Sequence, residues 1–337
     1  MPRLAAILLL LMLGSCAPHV AVMGPPLETP RIDGERFVMA DGTALPFVAW
    51  RPDGTPKAVM LALHGFNDYA IAFADPAVEW VRDGIATYAY DQRGFGRTAQ
   101  RGLWPGTETL VADLETTLAL VQARHPGIPV YVLGESMGGS VAMVAASQGR
   151  LHQAAGTILL APAIRGRETL NIFARVGLFV FSRTVPWLAG RPAGPLPFTP
   201  SDNIAALRKL GRDPLVIKDT RVDAFWGLVN LMDDALAAAP RFDAPAMILI
   251  GRHDDLIPDD PMEVMLQRLP PVPPGRRRVA VYPEGYHLLL RDLKAEVPIR
   301  DIVHWTRAPG APLPSGNERQ PGGRIAAGAR KDNVWPR

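Results

Sequence analysis

From Arg36 onward the chain carries two kinds of hydrophobic pattern. The stretch Phe37 to Trp50 reads as two strands around an Asp41-Gly42 turn, because apolar positions flank a dipeptide suited to a hairpin. Short uninterrupted apolar runs then alternate with longer segments of helical spacing. Ala58–Leu63 precedes a helix from Ala77 to Arg82, Ala86–Tyr90 one from Leu110 to Arg124, and Val130–Leu133 one from Met137 to Gln148. Apolar runs of four to six residues suit strands buried on both faces of a parallel sheet. The pattern therefore predicts an α/β fold, a mostly parallel sheet with helices on both faces. It resumes with Thr157–Leu160, Met247–Ile250 and Val279–Tyr282, and closes on a helix through Ile299 to Trp305.

Between Ala163 and Ala244 the alternation lapses for about eighty residues. Leu170, Phe173, Phe179, Phe181 and Trp187 crowd its first half, and Phe225, Trp226, Leu228, Val229, Leu231 and Met232 repeat at helical spacing near its end. This reads as a helical cap (163–244) inserted into a core made of residues 36–162 and 245–306. No internal repeat is visible.

The ends differ in kind. Met1-Pro2-Arg3, an apolar run from Leu4 to Leu13 and then Gly14-Ser15 form the parts of an export signal over residues 1–15. The run is too short for a spanning helix of about 20 residues. The single cysteine, Cys16, follows at once. With no second cysteine there is no disulfide, so an exported chain must be held by its core alone. Residues 16–35, with Pro18, Pro25, Pro26 and Pro30, are expected to form an extended tether. Residues 307–337, rich in Pro, Gly and Arg, are expected to be disordered.

Charge changes the picture only through its placement. The net charge is +3 and the pI about 9.2, which raises a nucleic-acid reading. From Arg307 onward, however, six basic residues face two acidic ones. Setting that excess and Arg3 aside leaves the body at −2. A nucleic-acid partner is not supported.

The chemistry sits where strands end. Gly134-Glu135-Ser136-Met137-Gly138 is a Gly-x-Ser-x-Gly pattern between a buried run and a helix of small residues. A serine at such a corner needs small neighbours and projects past the sheet edge. It also needs a base, and a carboxylate to orient that base. In this fold class these follow later strands in the order Ser, acid, His. His287 after Val279–Tyr282 is the candidate base, and His253, beside the proposed acid, is the weaker competitor. For the acid, Asp254 is favoured by its spacing from Gly251, and adjacent Asp255 remains open. A tetrahedral oxyanion needs backbone donors, and the amides of Phe66, after strand Val59–Leu63, and of Met137 are the candidates. His64 is expected to orient its loop, and Asp91 and Arg93 to brace neighbouring ones. No metal-ligand cluster or phosphate loop is evident, so neither a metal nor a cofactor is expected.

His64-Gly65-Phe66, Asp91-x-Arg93-Gly94-x-Gly96, Gly134 to Gly139, Gly251-x-x-Asp254 and Tyr286-His287 together resemble the α/β-hydrolase superfamily. More closely they resemble its monoacylglycerol lipase and lysophospholipase branch, which includes serine aminopeptidase-like hydrolases. The resemblance implies an eight-stranded sheet, the triad Ser136, Asp254 and His287, and hydrolysis of lipid-like esters through an acyl-serine. Two departures stand at the expected pocket rim: Glu135 where that branch commonly has His, and Phe66-Asn67-Asp68-Tyr69 after His64-Gly65. Leu13-Gly14-Ser15-Cys16 resembles a bacterial lipobox, which implies lipidation at Cys16. That places the chain in the cell envelope, on the periplasmic face of the outer membrane, with the apolar cap as a second membrane contact. Rival readings are an esterase, thioesterase or peptidase of small non-lipid acyl substrates, and an idle envelope protein; the intact Ser, Asp and His argue against the last.

Overall fold

The computed structural model describes residues 17–167, 170–191, 198–319 and 325. The expected leader and Cys16 lie outside the described residues. Among the described residues the strands are, in chain order, β1 (Arg31–Asp33), β2 (Arg36–Val38), β3 (Ala44–Trp50), β4 (Ala58–Leu63), β5 (Ile85–Tyr90), β6 (Val130–Glu135), β7 (Gly156–Leu160), β8 (Ala189–Gly190), β9 (Thr220–Arg221), β10 (Ala246–Gly251) and β11 (Arg277–Tyr282). The α-helices are α1 (Ala74–Arg82), α2 (Thr107–Arg124), α3 (Met137–Ser147), α4 (Ile172–Thr184), α5 (Ile204–Arg212), α6 (Val222–Ala238), α7 (Asp259–Arg268) and α8 (Glu296–Arg307).

Nine strands form one sheet in the order β1-β2-β3-β5-β4-β6-β7-β10-β11, and β8 pairs with β9 in a separate two-stranded ribbon. Pairings from β5 to β11 are parallel, whereas β1, β2 and β3 join antiparallel. The uninterrupted apolar runs have a direct cause. Val59, Leu61 and Leu63 of β4 face a cluster with Leu110, Leu114, Val141 and Leu231 of α2, α3 and α6. Met60 and Ala62 face Trp80 of α1 and Ile302 and Trp305 of α8 on the other side. Burying a leucine from both flanks in this way contributes about 1.5–3 kcal/mol, so a polar position within β4 is excluded.

Three expectations change. Of the expected tether, 16–35, the described residues 17–35 do not run free. Ala21 donates to the Trp104 carbonyl, Leu27 and Glu28 to that of Ala40, and Arg31–Asp33 adds the ninth strand where eight were expected. The tail is ordered through residue 319: Val281 donates to Asn317, Arg319 to Val279, and Ile325 is buried in the core. Finally, the cap ends before its last helix, because α6 buries Leu228, Leu231, Ala235 and Leu236 against α3 and so belongs to the core's helical layer.

Candidate active site

The parallel strands end in register, with Leu63 opposite Gly134, Glu135 opposite Leu160 and Gly251 opposite Tyr282. Residues that follow them are therefore delivered to one edge, the carboxyl edge where open α/β sheets bind ligands. Ser136 turns the chain from β6 into α3 with φ 52° and ψ −113°, a conformation costing a side-chain-bearing residue about 1–3 kcal/mol. Its flanking glycines permit the turn. A Cβ at Gly134 would stand 2.3 Å from the Gly138 carbonyl oxygen, and one at Gly138 would stand 2.3 Å from that of Leu63. The His64-Gly65-Phe66 loop packs on the same corner, since a Cβ on Gly65 would lie 3.4 Å from that of Ser136. Met137 opens α3, where a backbone N–H has no intrahelical acceptor, and Phe66 follows Gly65 in the loop against the same corner. Both backbones border Ser136.

The choice between Asp254 and Asp255 is decided by burial and hydrogen bonding. Asp254 is buried; its Oδ1 accepts the Leu256 and Ile257 N–H groups at 2.9 and 2.8 Å, and its Oδ2 accepts His287 Nδ1–H at 2.8 Å. Asp255 is exposed. His253 is also exposed and rests against the Tyr286 ring, 5.2 Å between centroids. The His287 side chain is 3% exposed. Burial works against its charged form, but the charge and hydrogen bond of Asp254, aided by Glu135, outweigh that and raise its pKa above the ordinary imidazole value.

His64 is committed elsewhere. Its Nδ1–H donates to the Gly65 carbonyl at 2.8 Å and its Nε2 accepts the Gln92 N–H at 3.0 Å, while burial pushes its pKa down. It is a neutral loop brace, as expected. Asp91 accepts from Ala70 and Arg97, and Arg93 forks onto Asp113 and reaches Asp41. Both brace loops.

Sequence reasoning missed Arg291. Its guanidinium donates to Asp68 Oδ2 and Glu135 Oε2, each at 2.7 Å. Glu135 and Asp68 are therefore not at an open rim: both side chains are under one-tenth exposed. An arginine four residues after His287, in an otherwise apolar run, was the available signal. The cap's two feet were missed as well. Ser201 donates to Asp292 Oδ1 at 2.6 Å, Leu288 N–H to the Pro200 carbonyl, and Asn203 Nδ2 to that of Arg291. On the other side, Ile217 N–H donates to the Asn67 carbonyl, Asn67 Nδ2 to Thr220, and Tyr69 to Asp213. Local polar spacing gives no sign of such long-range pairs.

Comparison with known proteins agrees with this arrangement. Residues 54–294 match the family described as "Serine aminopeptidase, S33". The human protein named monoglyceride lipase is 27% identical over 272 residues, covering 80% of this chain and 88% of that one. A monoacylglycerol lipase of Mycolicibacterium smegmatis is 25% identical over 281 residues, covering 80% and 95%. Among solved structures, the monoacylglycerol lipase of Paleococcus ferrophilus superposes with a TM-score of 0.65 at 22% identity, covering 77% of this chain and 97% of that one. A monoglyceride lipase variant from Saccharomyces cerevisiae gives 0.67 at 19%, covering 86% and 97%. With this match running through the elbow, both loops of the carboxyl edge and the cap, the chain belongs to the serine aminopeptidase family of α/β-hydrolases and is a carboxylic ester hydrolase of its monoacylglycerol-lipase-like branch.

Proposed function

We propose that the chain hydrolyses single-chain lipid esters, monoacylglycerols or lysophospholipids, through an acyl-serine intermediate. His287 Nε2 takes the Ser136 hydroxyl proton as Oγ attacks the ester carbonyl, and Asp254 holds the resulting imidazolium. The Phe66 and Met137 N–H groups receive the oxyanion. Collapse passes the proton to the leaving alcohol, and water, activated by the same histidine, releases the fatty acid. One observation carries this reading: the 2.8 Å Asp254–His287 bond reaches the sheet edge where Ser136 is held in its strained turn.

The lipid preference draws support from the named relatives and from the cap. On α4, Phe173 is 85% and Phe181 56% exposed, an apolar surface suited to an acyl chain or a bilayer. No helix among the described residues is long and apolar enough to cross a membrane. Attachment to the envelope, on the periplasmic face of the outer membrane, is proposed through lipidation at Cys16, on the likeness of Leu13-Gly14-Ser15-Cys16 to a lipobox, with the cap as second contact.

Ser136→Ala should abolish hydrolysis of p-nitrophenyl esters and labelling by a fluorophosphonate probe in a folded protein; retained turnover sinks the assignment. A side-by-side panel of monoacylglycerols, lysophospholipids, short esters, thioesters and aminoacyl amides ranks the substrate classes, and a preference for the amides or short esters overturns the lipid reading. Cys16→Ser should move the protein from the membrane to the soluble fraction.

A further inference from the structure

Three segments that meet at the catalytic edge are fastened by a single side chain. Arg291 lies four residues after His287, Glu135 immediately precedes Ser136, and Asp68 stands two residues after Phe66. The Arg291 guanidinium, 11% exposed, reaches Asp68 with Nη1 and Glu135 with Nη2. Its Nε has no partner among the described residues. Two carboxylates share one cation, so the buried cluster carries a net negative charge. Burial alone does not select such a set, because apolar residues of similar volume fill a core at less cost in desolvation.

The charged groups around His287 are Asp254, Glu135 and Arg291; those around Glu135 are Arg291, Asp68 and His287 itself. Two further titratable groups lie near the cluster: His64, buried and neutral, and Asp292, which accepts from Ser201 and the Tyr286 N–H and whose pKa burial raises to about 6. Asp254 occupies the Nδ1 side of the ring. A Cβ on Gly65 would lie 3.4 Å from Ser136 Cβ and 3.9 Å from Glu135 Oε2, so the Glu135 carboxylate stands beside the serine corner, where positive charge develops when His287 takes the proton.

We propose that Glu135, locked in place by Arg291, is a positioning residue that serves His287 as a second carboxylate, favouring the imidazolium formed during acylation. This rests on the assignment of Ser136 and His287 given above. Arg291 has a double part. Burial raises the Glu135 pKa and the Arg291 guanidinium works against that, favouring the carboxylate form, while Asp68 absorbs part of the guanidinium charge and leaves Glu135 able to act on the ring.

The test separates charge from shape. Glu135→Gln keeps the length of the side chain and an oxygen for Arg291 but removes the charge; Glu135→Asp keeps the charge and shortens the reach. The ionised Glu135 stabilises the protonated ring, so its loss lowers the His287 pKa. The acid limb of the kcat/KM profile, on which this base must be neutral, should then move to lower pH in Glu135→Gln by about half a unit or more. Its kcat should fall roughly tenfold, with KM within about threefold. Glu135→Asp should return the limb towards the wild-type position. A structural role gives the reverse: Gln like wild type, Asp impaired, limb unmoved. That pattern overturns the proposal. Should Glu135→Gln not fold, Asp68→Asn replaces it, since it leaves Arg291 to neutralise Glu135; the limb should again move down, and an unmoved limb is decisive against. Fluorophosphonate labelling of wild-type Ser136 is run in parallel. Failure there refutes the triad, whereas labelling with an unmoved limb refutes only the role of Glu135.

Discussion

The glycine after the elbow makes the strongest quantitative claim. In Gly138→Ala the new methyl would sit 2.3 Å from the Leu63 carbonyl oxygen and 2.7 Å from the Leu63 Cβ. Ordinary contact begins beyond 3.4 Å, so the start of α3 and the end of β4 must part by about 1 Å. Backbone, not the tip of a flexible side chain, is what has to give. Overpacking of this size costs about 1–3 kcal/mol, or roughly 2–10 °C in Tm for a chain of this length. The same displacement separates Met137 from the loop carrying Phe66, and a misplacement of about 1 Å at a reacting centre costs on the order of 100-fold. Gly139→Ala meets Pro162 Cβ at 3.0 Å and should lose far less. Gly177→Ala, within α4 and open on all sides, should gain about 0.5–1 kcal/mol with unchanged turnover. The assay is kcat on a p-nitrophenyl ester beside a thermal melt of each variant. A Gly138→Ala protein within about threefold of wild-type kcat and with an unchanged Tm would falsify the packing argument.

Asp254→Asn should lower kcat by about 10⁴, through loss of the correct tautomer, whereas Asp255→Asn should leave it within a few fold; equal losses contradict the assignment of the acid. Ser201→Ala removes the donor to buried Asp292 at one foot of the cap, leaving an acceptor unsatisfied at about 1–3 kcal/mol, and should speed tryptic cleavage within the cap by roughly fivefold or more. Asp292 itself has its pKa raised by burial to about 6, above the unfolded carboxylate value near 3.9. The folded state therefore binds a proton more readily, and this group's contribution improves as pH falls from about 6 towards 4. Urea midpoints of wild type and Asp292→Asn at pH 7 and pH 5 should show wild type gaining on the variant at the lower pH, and a constant gap contradicts it.

Much of this was legible because burial on both faces leaves a plain record. β4, β6, β7 and β10 are apolar at nearly every position, so their order and spacing, and with them the places of Ser136 and His287, could be read directly. Asp254 and Asp255 could not be separated by spacing, because the deciding facts, burial and the bond to His287, arise only when β10 and β11 pair. Arg291 was hidden for a related reason: its partners lie 156 and 223 positions away. The ends were misjudged because they bury only isolated apolar side chains, such as Leu313 and Ile325, with no periodic run. Arg31–Asp33 and the residues to 319 are held by backbone hydrogen bonds to a sheet edge and its loops, and hydrophobic periodicity does not report that. Helix α7, which begins after Pro258 with two acidic residues in its first turn, carried a start signal that the apolar pattern overshadowed.

The ordered N-terminal strap changes what a lipid at Cys16 could do. A free tether from residue 16 to residue 35 would reach about 70 Å at ~3.5 Å per residue, far enough for any orientation of the body. The Ala21 bond to Trp104 and the Met23 N–H bond to Thr109 remove most of that freedom. Pro18 and Val20 line a cleft of about 460 Å³ together with Arg183 of α4 and Trp226 of α6. Two residues of chain span at most about 7 Å, which ties an anchor at residue 16 closely to Pro18 and its cleft. The exposed side chains of α4 lie on that part of the molecule, and between Leu170 and Arg221 the chain carries eight basic residues against three acidic ones, a charge suited to anionic lipid. With residue 16 lipidated, anchor and cap would meet the bilayer together, and the strap would set the height of the catalytic edge above it. Lengthening the strap by ten Gly/Ser residues between Ala17 and Pro18 should leave hydrolysis of a soluble short ester unchanged while slowing hydrolysis of monoacylglycerol in vesicles several-fold. Equal rates on vesicles for both lengths would show that the strap does not place the cap at the membrane.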